Sequence, residues 1–454
     1  MGCREMGRRQ MDRRGTGANK HASITLLALG FYLSATVLAQ NTGQTVRHHK
    51  VVEQDQSFPP ELTQAESAIE KHDYAAAEPL LNKVVAADPN NFQAWFDLGF
   101  VYNGMGNTSE SIAAYRKSVA AKPDVFESNL NLGLMLAKTG QPDAAQFLRA
   151  ATTLKPTANV DEGHARAWLS LAHVLENTKP EEAIEAYKQA TALEPKDPEP
   201  HLSAGLLLEK ENHFAEAEQE YKQTLAIDPN SSDALTGLAN IDMRGQRFAE
   251  ADPILRQIVA MHPENVPAHM QLARILFVLG KNDEAIAELQ AAVKLDPGNR
   301  GAQSDLANLY FKSNKYDLAE AQYHSLLAAN PNDAELHHDL GVVLLKERKF
   351  LDAQQELLMA VKLKPDFGAA YGDLAAAAVE NKNYDLAIKA ADARAKFLPE
   401  IPVSYFLRAS AYDHLRNYKM AAENYHRFLE VANGEYPDQE WQARHRLIAI
   451  EPKK

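Results

Sequence analysis

The chain of 454 residues holds a single cysteine, Cys3. One thiol allows no internal disulfide and no zinc site built on several thiolates. Cys3 also precedes an apolar run that reads as a removable leader, which would leave the exported chain no thiol nucleophile. Aromatic residues make up only 8%. No uncharged apolar run reaches the roughly 20 residues that a membrane-spanning helix needs. Positive charge is in deficit, with 48 Lys and Arg against 61 Asp and Glu, a net of −13. A surface of that sign repels phosphate backbones, so no nucleic-acid partner is expected. The G-x-S-x-G, H-E-x-x-H, phosphate-loop and dinucleotide patterns are missing as well, so no enzyme activity, no cofactor and no metal are expected. His337 and His338 are adjacent, which on a helix turns their rings about 100° apart, and His48-His49 lies in a polar stretch. Both pairs read as structural or solvated histidines. Asn107-Thr108-Ser109 and Asn230-Ser231-Ser232 fit the glycosylation pattern but stand where turn and capping residues belong.

The N-terminus is laid out for export. Arg8, Arg9, Arg13, Arg14 and Lys20 precede the uncharged run Ile24 to Ala39, which ends in Val37-Leu38-Ala39, a small-residue cleavage pattern. Residues 1–39 therefore read as a signal peptide, cut after Ala39. Removing them takes away six basic and two acidic residues and leaves 42 against 59, a net of −17. The alternative is an uncleaved anchor, with residues 24–39 holding the chain at an inner membrane. Residues 40–57 are polar and read as a flexible leader. The expected location is periplasmic or secreted, with membrane contact only if the apolar segment is kept.

The remainder is periodic. Prolines stand at Pro89, Pro123, Pro156, Pro195, Pro229, Pro263, Pro297, Pro331, Pro365 and Pro399, and seven of these nine intervals are 34 residues. Twelve residues before each lies Ala77, Ser111, Ala144, Ala183, Ala217, Ala251, Ala285, Ala319, Ala353 or Ala387. Ala421 continues the column. A third small column runs through Gly99, Gly205, Ala239, Ala273, Ala307, Gly341, Ala375 and Ala409. Apolar residues between the columns have helical spacing, as in Leu272, Leu276 and Leu279. Each unit is thus a pair of helices that approach where side chains are smallest, and the two small columns are expected to face each other. The proline ends the second helix.

This pattern resembles the tetratricopeptide repeat in unit length, small-residue columns, the aromatic before the second helix (Phe214, Phe248, Tyr316, Phe350, Tyr384, Tyr418) and the closing proline. The resemblance implies an all-α fold, an α-solenoid wound as a right-handed superhelix, of about eleven helical hairpins over residues 58–433. Unit one is degenerate in its first helix. The spacing is irregular near 140–165, where Thr157 to His164 is inserted; a hinge, a change of superhelix pitch or a bulged loop fits. Residues 434–454 read as a capping helix and tail, with Trp441, Leu447 and Ile450 inward and Arg444, His445 and Arg446 outward.

In the resembling family the first helices line the concave side, with the fifth, ninth, twelfth and thirteenth places of each unit facing the groove. Carried over, this gives an apolar half, Phe96, Phe100, Leu130, Leu134, Leu169, Leu202 and Leu206, and a polar half, Asn240, Arg244, Arg274, Asn308, Lys312 and Lys346. The apolar set has a competing assignment to the core. The expected function is a non-enzymatic scaffold that holds an extended protein or peptide segment, acidic or carboxylate-ended, in that groove. The alternative is an accessory subunit of an envelope assembly or of a secretion or polysaccharide export complex.

Overall fold

The computed structural model describes residues 59–451. Residues 1–39 and 40–57, read from the sequence as signal peptide and leader, lie outside the described residues, as do Cys3 and His48-His49 within them. Every regular element among those described is an α-helix. The chain divides into two compact units, one up to Lys196 and one from Asp197 onward. The first holds α1 (Pro60–Glu70), α2 (Tyr74–Ala87), α3 (Phe92–Gly104), α4 (Thr108–Ala121), α5 (Phe126–Lys138), α6 (Ala144–Ala151), α7 (Val160–Leu175) and α8 (Pro180–Leu193). The second begins with α9 (Pro198–Lys210), α10 (Phe214–Ile227), α11 (Ser232–Arg244), α12 (Phe248–Met261), α13 (Val266–Val278), α14 (Asn282–Leu295), α15 (Arg300–Lys312) and α16 (Tyr316–Ala329). It continues with α17 (Ala334–Lys346), α18 (Phe350–Leu363), α19 (Gly368–Glu380), α20 (Tyr384–Phe397), α21 (Pro402–His414), α22 (Tyr418–Val431) and α23 (Pro437–Ile450). Each odd helix up to α21 packs on the even helix after it, giving eleven hairpins with α23 laid on α22.

Turn chemistry sets the hairpins. The first helix of a pair commonly ends on a residue with positive φ, such as Asn212, Gln246, Arg348 or Lys382. The amide that follows turns back onto the helix, as when His213 N–H donates to the Leu208 carbonyl at 2.8 Å and Arg247 N–H to that of Asp242 at 2.8 Å. This closure satisfies carbonyls that the helix end leaves orphaned. The next helix often starts on a capping side chain. Asp73, Asn383 and Asn417 accept from the amides of Ala76, Leu386 and Met420.

The small columns do more than face each other. Ser111 Oγ donates to the Gly99 carbonyl at 2.7 Å, so the two backbones do meet there. Yet a Cβ placed on Gly99 would lie 2.7 Å from the ring of Tyr115, one turn beyond Ser111. Gly205 stands in the same relation to Tyr221, Gly133 to Leu148 and Gly341 to Leu357, at 2.6–2.8 Å. The small residue of the first helix is therefore the seat for a bulky residue of the second. The facing of small columns holds at Ser111 and Gly99, and the bulky residue one turn on fills the room that the glycine leaves. Where the bulky residue is tyrosine, its hydroxyl needs an acceptor. Tyr221 donates to Glu209 at 2.6 Å and Tyr323 to Asn308 at 2.9 Å. Burial, with the Glu209 charge adding to it, pushes the Tyr221 phenol far above its ordinary range.

Successive second helices of the second unit are also linked by charge. The residue just ahead of α12, α14, α16 and α18 is Arg247, Lys281, Lys315 or Lys349, and each reaches an acid of the preceding hairpin: Glu218, Asp252, Asp283 and Glu320, at 2.5–2.8 Å. Each exposed pair contributes little alone, about 0–1 kcal/mol.

The inserted stretch after Pro156 forms neither a free bulge nor a division between units. Residues 160–163 become the first turn of α7, and Thr157 donates from both N–H (2.9 Å) and Oγ1 (2.6 Å) to Glu127 on α5. At the end of the chain, Ala443 and Leu447 are buried and Ile450 packs beside them. Trp441 points outward, 61% exposed, and its ring lies tilted against His445 with centroids 3.9 Å apart. Arg446, expected on the outer face, is tied to Asp413 at 2.6 Å. The inward reading of Trp441 fails because residues 443, 447 and 450 already fill the stripe facing α22, and 441 lies opposite them.

Tyr221 tests the packing rule, since its ring is held between Gly205 and Gly237, and a Cβ on Gly237 would lie 2.3 Å from it. Gly237→Ala gains about 1 kcal/mol in helix propensity but overpacks a fully buried ring. A net loss of about 1–3 kcal/mol is expected in denaturant melts. A stabilised variant would show that the ring can move aside.

Candidate functional site

First helices of neighbouring hairpins approach one another in both units, as in α1–α3 and α5–α7, and α9–α11, α17–α19 and α19–α21, whereas no two second helices come comparably close. First helices therefore line the inner side of each unit's curve. Within one first helix the sixth, ninth and thirteenth places share a face, and seven residues carry about 10 Å along the axis.

The apolar set lies mostly in the core. Phe96 and Leu134 are each 1% exposed, Leu130 4% and Leu169 5%. Phe96 packs edge-on against Tyr115 and joins a cluster with Ile112, Leu132 and Met135. Leu130 lines a cavity of about 30 Å³ with Phe126, Asn131, Pro156 and Arg166, closed over by the link that Thr157 pins to Glu127. That volume is about one water's worth. These four side chains offer no open wall, because inserted and neighbouring residues cover them. Phe100 and Leu202 are half-buried, Phe100 against Tyr74 at 6.1 Å, and Leu206 is exposed.

The polar set fares differently. Asn240 is half-buried, while Arg244, Arg274, Asn308, Lys312 and Lys346 are exposed on α11, α13, α15 and α17. They do not form a bare cationic ladder. The Arg244 guanidinium lies 4.4 Å from the Phe214 ring centroid, and Lys312 Nζ lies 4.9 Å from that of Phe277. Arg274 donates from Nε (3.1 Å) and from the guanidinium end (2.8 Å) to Asp305 on the next first helix. The expected free cation is thus an ion pair, supplied by a residue 31 places on. Asn308 accepts from Tyr323, which fixes its amide. Lys346 makes no ion pair or hydrogen bond among the described residues.

Reading single repeats misses a second row. Asp305, Asp339 and Asp373 stand 34 apart at the sixth place of α15, α17 and α19. Each of the first two lies seven residues before a lysine, Lys312 or Lys346. Between Asp339 and Asp373 sits His338: its Nδ1 is 3.3 Å from Asp339, its Nε2 is 2.9 Å from Asp373, and the Phe367 ring lies 4.8 Å away. Burial works against a charged ring there, but hydrogen bonds to Asp339 and Asp373 outweigh it and lift the imidazole to about 9. The 34-residue spacing of aspartates was visible in the sequence, but nothing in one repeat says that a histidine of the neighbour fills the gap. His337 points elsewhere, with Nδ1 2.5 Å from Glu356 and Nε2 3.0 Å from the Pro331 carbonyl. Among the described residues no group of three or more potential ligands is placed to hold a metal ion, and no helix is long and apolar enough to cross a membrane.

Within each unit, successive helical hairpins whose first helices neighbour one another define a helical-repeat protein. A family model described as Cilia and flagella-associated protein 70 C-terminal domain matches residues 48–306, more than half of the chain. Two models described as Tetratricopeptide repeat match residues 279–340 and 338–400. The chain belongs to the tetratricopeptide-repeat family, and over residues 48–306 to the group of that first model. Repeats of this family generally mediate protein–protein interaction. A comparison with curated proteins gives no match. Similar solved structures include YrrB, described as a TPR protein with an unusual peptide-binding site, at 22% identity over 41% of this chain and 96% of that one, TM-score 0.38. A C-terminal part of a repeat-containing protein from Cytophaga hutchinsonii shares 16% identity over 54% of this chain and 99% of that one, TM-score 0.46. Yeast Tom70 shares 15% over 86% and 94%, TM-score 0.33.

A pH test of the His338 contacts follows from their sign. A pKa raised on folding adds stability that is whole below the ordinary histidine value near 6.5 and is lost as pH rises through about 9. Thermal melts of the wild type should fall more steeply across that window than those of His338→Gln. Parallel curves would mean that the ring carries no extra proton.

Proposed function

We propose that the second unit holds an extended segment of a partner protein along its inner wall, and that the segment is acidic or ends in a carboxylate. The observation that supports this is the state of the charges on α15 and α17. Asp305 is engaged by Arg274, Asp339 and Asp373 by His338, whereas Lys312 and Lys346 are exposed and make no ion pair among the described residues. Cations left available in a chain of net charge −13 attract an acidic segment inward while the acidic remainder repels competitors. Leu206 on α9 and Val278 on α13, both exposed, add apolar surface on other first helices of this unit. The role is one of binding and carries no catalytic step. Titration calorimetry with an oligoglutamate peptide should show affinity lost in the Lys312→Ala, Lys346→Ala double variant, with a shallower salt dependence. Lys222→Ala, on the second helix α10, should bind as wild type does. Equal losses in both would place binding away from this wall.

We also propose that the chain is exported, a reading supported by the basic stretch, apolar run and small residues of positions 1–39. Protein isolated from its native host should begin at Gln40 by intact-mass analysis. Retention of residues 24–39 would favour the anchor.

A further inference from the structure

The aspartate row and the lysine row share a face, so whatever sets the charge of one governs what the other can bind. His338 is placed to do that. A neutral imidazole donates from one nitrogen only, and the other presents a lone pair. Both nitrogens of His338 face carboxylates, Asp339 on its own helix and Asp373 on α19, so only the imidazolium satisfies the two contacts. The ring is nearly enclosed, its side chain 16% exposed.

The groups around it are few. The Phe367 ring comes from the link before α19, and Tyr323 from α16 lies within the influence of Asp339. The acid of α18 in this region, Glu356, is turned to His337. On the neighbouring first helices the charges are the paired Arg274 and Asp305, then Lys312 and Lys346.

We propose that His338 is a proton-controlled switch of the inner wall. With its proton the ring compensates the Asp339 and Asp373 carboxylates and Lys312 and Lys346 accept an acidic segment; without it the two lysines face two uncompensated aspartates and the segment is released. This rests on the acidic-segment reading above and names its regulation. The mechanism needs no movement of the fold. A unit of charge changes about 10 Å from the partner's carboxylates, and in largely aqueous surroundings that shifts affinity by roughly twofold at low salt.

The experiment is calorimetric titration of the oligoglutamate peptide at low salt, from about pH 7 to about pH 9.5. It uses the wild type, His338→Gln, Asp373→Asn and the Lys312→Ala, Lys346→Ala variant, with helical content checked by circular dichroism at each pH. Wild-type affinity should fall roughly twofold across the range. His338→Gln should be weak and flat throughout. Asp373→Asn, which removes one carboxylate, should bind at the upper pH about as tightly as wild type does at the lower. A flat wild-type profile, or a fall as steep in His338→Gln as in wild type, overturns the switch. If binding is still lost in the lysine variant, the acidic-segment reading survives that failure. Absence of wild-type binding at every pH overturns the acidic-segment reading and the switch together.

Discussion

Everything in this chain depends on how closely two antiparallel helices can lie. At Ser111 and Gly99 a side-chain hydroxyl reaches the facing backbone carbonyl, and the room that the missing Cβ leaves is taken by the ring of Tyr115. Small and large must alternate in this way because a packed interior has no tolerance for a void or an overlap of one methyl group. Repeating the arrangement every 34 residues turns one local contact into an array, and the array fixes which side chains face inward.

The same constraint decides which parts of the fold the sequence reveals. The small columns and prolines recur at a fixed interval because each serves a backbone contact within its own hairpin, so the hairpins, their order and their all-α class can be read without coordinates. Trp441 could not be placed from its apolar character, because which stripe of α23 meets α22 depends on rotation about the helix axis. Nor could the inserted stretch after Pro156. Its effect runs through a hydrogen bond from Thr157 to Glu127, thirty residues back.

For the inner wall the limit has the same origin. Position in the repeat leads to the expectation that Arg274, Lys312 and Lys346 leave their helices on the inner side. It does not say what the next helix sends to meet them. Arg274 meets Asp305, Arg244 lies over Phe214, and Lys346 meets nothing among the described residues. Charge sign is thus legible in the sequence, whereas charge availability is a property of neighbouring repeats. The buried leucines of the first unit make the same point for apolar residues: Leu130 is in the predicted register, but the link after Pro156 closes over it.

Repeat arrays are tuned at such crossings. Because each hairpin touches mainly its neighbours, one substitution at a contact between first helices alters the wall locally and leaves distant hairpins as they were. Asp305 serves Arg274 and Asp373 serves His338 from the same place in their units, yet one partner is a guanidinium and the other an imidazole held between two carboxylates. Position in the repeat therefore sets where a charge stands, and the residue supplied by the adjoining repeat sets whether that charge is left without an ion pair, shared or cancelled. In this wall the three cases fall at Lys346, His338 and Arg274.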